Sequence, residues 1–86
     1  MPRISEFYGV EVYMYYNDHL PPHFHAEYAE FEAVYMIDTL DTLRGQLPRR
    51  AHSLVIEWAL EHRDELNSNW DRARQQVPLT TIEPLD

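Results

Sequence analysis

The sequence contains no cysteine and no lysine, and only two of its 86 residues are glycine. Without cysteine there is no disulfide framework and no thiolate ligand, so a metal site would have to be built from imidazole and carboxylate groups. There is no glycine-rich phosphate loop, Walker signature or serine elbow, which removes most standard enzyme classes. No apolar run approaches the length of a membrane span. The N-terminus lacks the basic-then-apolar order of a signal peptide, so the expected location is the cytoplasm.

Positive charge is scarce too. The seven basic residues are all arginine (Arg3, Arg44, Arg49, Arg50, Arg63, Arg72 and Arg74) and face fifteen acidic ones, for a formal net charge of −8. That field repels nucleic acid and favours basic partners, so an RNA-directed reading must rest on a local patch. Apolar material is ample, at 44% hydrophobic and 13% aromatic, which argues against disorder. A chain of this length supports one domain, residues 1–86, with a modest core that a partner subunit could extend.

From Phe7 to Tyr16 the residues are largely aromatic or β-branched. Val10, Val12, Met14 and Tyr16 alternate with Glu11, Tyr13 and Tyr15, which predicts a strand ending near Tyr16. Gly9 marks a bend or bulge that sets Ile4 to Tyr8 apart from it. Asn17-Asp18 offers turn chemistry, and Pro21-Pro22 forbids helix and imposes an extended connection. His23 to Tyr28 and Phe31 to Asp38 read as two more strands joined by a tight turn at Ala29-Glu30. In that register Tyr28 faces Phe31 and Phe24 faces Tyr35. One face then carries Phe24, Ala26, Tyr28, Phe31, Ala33 and Tyr35, suited to packing on helix. The opposite face carries His23, His25 and Glu27, because side chains alternate along a strand.

Thr39 to Leu47 read as loop. From Pro48 to Gln76 neither glycine nor proline intervenes, and Leu47, Ala51, Leu54, Val55, Trp58, Leu66, Trp70, Ala73 and Val77 recur at helical spacing. Asp64 as an N-cap and the weak patch Asn67-Ser68-Asn69 favour two helices over one. Pro78 ends the helical region, and Leu79 to Leu85 is expected as a short edge strand or a tail docking on a partner. The expected fold is therefore α+β: a small antiparallel sheet of three to four strands followed by one long or two shorter C-terminal helices.

Chemistry concentrates in His19-Leu20-Pro21-Pro22-His23-Phe24-His25. His23 and His25 project to one side of a strand, close enough to share a metal, a phosphate or a transferring proton. A divalent ion would need a third ligand from His19, Asp18 or Glu27. The same imidazoles could instead serve as general base and general acid in phosphodiester cleavage. Arg49 and Arg50, at a helix start, are then the candidates for holding transition-state charge, against the alternative of an ordinary solvated helix start. Tyr13, Tyr15 and Tyr16 suit base stacking or packing. His52 and His62 read as helix-surface residues, Trp58 and Trp70 as core, and Glu57, Glu61, Asp64 and Glu65 as a solvated acidic face.

Taken together, Phe7-Tyr8-Gly9, Met14-Tyr15-Tyr16-Asn17-Asp18-His19, Pro21-Pro22-His23-Phe24-His25, Leu47-Pro48-Arg49-Arg50, Glu57-Trp58 and Asn69-Trp70 resemble the small prokaryotic domain-of-unknown-function family four-one-six-zero. That resemblance spans nearly the whole chain, and its hallmark is the His-Phe-His word. It implies a component of a toxin-antitoxin module with a cognate small protein encoded nearby. On this reading the chain is the toxin, acting on RNA or the translation machinery through His23 and His25 with Arg49 or Arg50. The alternatives are a non-enzymatic antitoxin or regulatory subunit, and a metal-binding domain using His19, His23 and His25. Family members often carry glycine where this chain has Ala29-Glu30, which sets the hairpin turn apart.

Overall fold

The computed structural model describes residues 2–86. Five antiparallel strands run in chain order, β1 (Arg3–Phe7), β2 (Val10–Tyr13), β3 (His23–Tyr28), β4 (Phe31–Met36) and β5 (Thr42–Gly45). Two helices follow, α1 (Arg49–Glu61) and α2 (Arg63–Arg74). The α+β class and the C-terminal helix pair match expectation; the sheet has five strands rather than three to four.

Gly9 does set the first strand apart from the second, as one half of a two-residue hairpin turn with Tyr8. Phe7 pairs with Val10, and both turn residues have positive φ, 49° and 84°. That pattern suits the right-handed twist of the flanking strands. β2 ends at Tyr13, three residues short of the expected Tyr16: its pairing with β3 stops at Tyr13 opposite His25, and Tyr15 then lies against the His25 ring. The β3–β4 hairpin has the expected register, with Tyr28 opposite Phe31 and Phe24 opposite Tyr35. Ala29 takes the strained turn position at φ 53° without the help of glycine.

The segment read as loop contains β5, which pairs with β4 through Val34–Arg44 and Tyr35–Thr42. Gly45 makes this possible: at φ +74°, an added Cβ would sit 2.2 Å from the Glu32 carbonyl oxygen. Strand pairing here depends on backbone contact, and the four side-chain positions of β5 are exposed.

One face of the sheet carries Phe7, Val10, Val12, Phe24, Ala26, Ala33 and Tyr35 and is buried against helix. Trp58 of α1, fully buried, lies 5.3 Å from the Phe7 ring and 6.0 Å from Phe24. Complete burial of such a side chain contributes roughly 1.5–3 kcal/mol or more from its apolar area. Pro48 caps α1, and the helix breaks at His62, whose φ of −125° is outside the helical range. His62, not Asp64, is therefore the residue preceding α2, and Asp64 falls in its first turn.

Residues 79–85 form no edge strand and run as a docked tail. Ile82 N–H donates to the Ile4 carbonyl at 2.8 Å and Ser5 Oγ donates to the Ile82 carbonyl at 3.0 Å. Trp58 Nε1 donates to the Glu83 carbonyl, and buried Asn69 exchanges three hydrogen bonds with Thr80. The surface on which this tail docks is the chain's own core. No described helix is long and apolar enough to cross a membrane.

Candidate metal centre

On the other face of the sheet the side chains follow the strand register in rows. One row runs Glu6, Glu11, Glu27, Glu32 across β1 to β4. The neighbouring row runs Arg3, Tyr13, His25, Val34, Arg44 across all five strands. His23 and His25 are on this face, as two-residue alternation requires, yet they are only 8% and 6% exposed.

The cover comes from the β2–β3 connection and α2. Tyr15 meets His25 edge-on at a ring separation of 4.5 Å, and Trp70 of α2 lies 5.2 Å from His23. Asp18 then brings one carboxylate oxygen, Oδ2, to 3.1 Å from His23 Nε2 and 3.1 Å from His25 Nε2. The three ligand atoms all lie within 4.8 Å of one another. Asp18 was one of three options for a third partner. His19 lines the same cavity without joining the group, and Glu27 sits in the glutamate row.

Hydrogen bonding constrains the protons. His23 Nδ1 is 2.7 Å from the Pro21 carbonyl oxygen. A carbonyl only accepts, so His23 Nδ1 carries the hydrogen and, in the neutral ring, Nε2 turns a lone pair toward Asp18. The His25–Asp18 contact has hydrogen-bond geometry, whereas the His23 contact is equally short without it. His25 Nδ1 is buried with no hydrogen-bond partner, and Glu32 Oε2 is 3.8 Å away.

The predicted arginines are elsewhere. Arg49 and Arg50 open α1, which packs on the Phe24 face. Arg50 lines a cavity with Tyr8, Tyr28, Leu54 and Leu85, and Arg49 lines another with Tyr35 and His52. The arginine in the histidine cavity is Arg44, on the strand that sequence reading missed. Its pairing with Val34, itself opposite His25, is the signal that would have found it. His52 bonds to the buried Tyr35 hydroxyl at 2.9 Å, and burial pushes the Tyr35 pKa up to about 12.

The family model described as Domain of unknown function (DUF4160) matches residues 9–71. The chain belongs to the DUF4160 family. No curated protein and no solved structure matches it. The DUF4160 match takes in Asp18, His23, His25, Arg44 and Trp70, so all the elements that assemble the site lie within it, whereas β1 and the docked tail lie outside.

Proposed function

We propose that this chain is a divalent-metal protein, with one ion held by Asp18 Oδ2, His23 Nε2 and His25 Nε2. The observation that carries the reading is the hydrogen accounting of the two imidazoles. With protons alone, His23 Nε2 faces the Asp18 oxygen at 3.1 Å without a hydrogen-bond geometry, and His25 Nδ1 is left without a partner beside the Glu32 carboxylate. With a divalent ion between the three ligand atoms, both Nε2 lone pairs are used. His23 Nδ1–H then donates to Pro21 O, and His25 Nδ1–H has the Glu32 carboxylate 3.8 Å away as its nearest charged acceptor. An imidazole that binds a metal through one nitrogen and donates its other N–H to a carbonyl or carboxylate is the usual arrangement of such ligands.

The separations agree. Ligands about 2.0–2.2 Å from a common ion are roughly 2.8–3.6 Å apart, from right-angle to tetrahedral geometry, and the two nitrogen-to-oxygen separations of 3.1 Å fall in that range. Two imidazoles and one carboxylate suit zinc or another first-row ion of intermediate softness. Three protein ligands leave positions free for water or substrate, as catalytic metal sites do. Elemental analysis and calorimetry test this directly: one zinc or nickel per chain is expected, lost in His25→Ala. A wild-type chain that takes up no zinc, nickel, cobalt or manganese would sink the proposal.

The family likeness and the buried histidine pair support a second proposal, that the chain is the toxin of a two-protein module acting on RNA or the translation machinery. Growth should then be arrested by the chain, restored by its genomic neighbour, and unaffected by His23→Ala/His25→Ala. Toxicity that persists in that double variant, or that the neighbour fails to relieve, refutes this role.

A further inference from the structure

Asp18, His23 and His25 line a cavity of about 280 Å³ together with His19 and Arg44. Two features of this space bear on what enters it. Leu20, Pro21, Val34 and Leu43 supply apolar wall beside its charged and imidazole groups. Arg44 is the one arginine in the lining, and among the described residues no carboxylate lies within ion-pair distance of it.

The register fixes where Arg44 stands. His25 pairs with Val34 and Val34 with Arg44, so the two residues share a face two strands apart, or about 10 Å between backbones. An extended arginine side chain covers much of that span. An object of a few ångströms can bridge the rest, with one end on the ion and the other on the guanidinium.

Resting on the metal reading above, we propose that this cavity binds a phosphoryl oxyanion, one oxygen filling an open position on the ion and another accepting from Arg44. Charge decides against a neutral or cationic occupant. The ion brings two positive charges, Asp18 removes one, and Arg44 adds one, while the glutamate row does not line the cavity. The planar guanidinium fork matches two oxygens of one phosphate, and leaves an edge of the anion free to reach the metal. The phosphate is either inorganic or part of an ester; the chemistry of recognition is the same, and the ester's remainder would extend over exposed Leu20 and Leu43.

Cobalt substitution tests this without an activity assay. Cobalt(II) is loaded at one equivalent, and its visible absorption is followed while inorganic phosphate is titrated, then a dinucleotide with an internal phosphodiester. Phosphate should perturb the cobalt spectrum, and Arg44→Gln should weaken its binding by about tenfold or more while cobalt stoichiometry stays at one. Arg50→Gln, on the helix side of the sheet, should leave phosphate affinity unchanged. A dinucleotide response that also depends on Arg44 assigns the site to esters, and a response to inorganic phosphate alone assigns it to the free anion. Equal phosphate affinity in wild type and Arg44→Gln, or a cobalt spectrum that phosphate does not perturb, overturns the proposal. Failure to bind cobalt overturns the metal reading as well.

Discussion

Replacing Asp18 by asparagine removes the only negative charge among the three ligand atoms while keeping the side chain's size. In the wild type, free zinc at one hundred times its dissociation constant stabilises the folded state by about 2.7 kcal/mol, provided that the unfolded chain does not bind it. For a domain of this size each kcal/mol moves the melting temperature by about 4–8 °C, so a rise of about 11–22 °C is expected. Loss of the carboxylate should weaken zinc at least about a hundredfold. The same zinc concentration then stabilises by about 0.4 kcal/mol, a shift of about 2–3 °C. Glu32→Gln, which alters the acceptor facing His25 Nδ1 and leaves all three ligands in place, should fall between, since such outer partners are worth about 10–100-fold in affinity. Thermal unfolding followed by tryptophan fluorescence measures all three. Trp70, 5.2 Å from His23, adds a local readout, because cobalt or nickel at the site should quench it. Asp18→Asn melting with the full wild-type zinc shift would refute the ligand assignment, and a flat wild-type response to every metal would refute the site.

Three further outcomes test the scaffold. Tyr35 is neutral in the folded chain because burial raises its pKa from 10 to about 12; its contribution is thus intact below pH 10 and lost as pH rises toward 12, by at most about 2.7 kcal/mol. Tyr35→Phe should lower stability at pH 7 through the lost His52 bond yet flatten the fall between pH 10 and 12 in urea titrations; an unchanged alkaline slope contradicts the assignment. Asn69→Ala should cost about 2–4 kcal/mol by leaving the Thr80 backbone unpaired and should expose the tail to proteolysis after Gln76; a tail as protected as wild type would contradict that role. Gly45→Ala, forced against the Glu32 carbonyl, should destabilise by about 1–3 kcal/mol and strip amide-exchange protection from β5 before the rest of the sheet, whereas uniform loss across the sheet would argue against a local effect.

The β3–β4 hairpin was legible because both faces of its strands carry a pattern. Alternation placed His23 and His25 together and Phe24 opposite, and two residues between the strands set the register. The helix limits were legible through Pro48 and Pro78. β5 was not, since a four-residue exposed strand with one leucine has no periodicity to read, and only the Gly45 contact with Glu32 reveals it. Asp18 stood only as one option for a third ligand, because its position depends on how Met14 to Pro22 folds back, a non-local event. The arginine expectation contained its own difficulty. A helix packed on the Phe24 face cannot easily place its first residues beside imidazoles on the other, and the structure resolves this by giving Arg44 to the histidine cavity.

The glutamate row explains why such an acidic chain suits a cation site better than a nucleic-acid surface. Like charges directly opposite on adjacent strands oppose sheet formation, and here four strands present them in line. Arg3 offsets the two at one end, reaching Glu6 at 3.1 Å and Glu11 at 3.0 Å, but Glu27 and Glu32 have no arginine partner among the described residues. Their field is felt locally: the Tyr15 pKa is raised by burial first and then by Glu27, Glu32 and Asp18, and the Tyr13 pKa chiefly by its bond to Glu11. A negative surface beside the site raises the local concentration of divalent ions, and Glu32 stands where it can accept the His25 Nδ1 hydrogen once Nε2 is committed to metal. The charge that repels a polyanion at long range thus favours loading of the ion, and only the loaded ion together with Arg44 reverses the sign inside the cavity. Phosphate binding should therefore be conditional on metal: calorimetric titration of phosphate into the metal-free chain is expected to show no binding, and equal affinity with and without metal would refute that order.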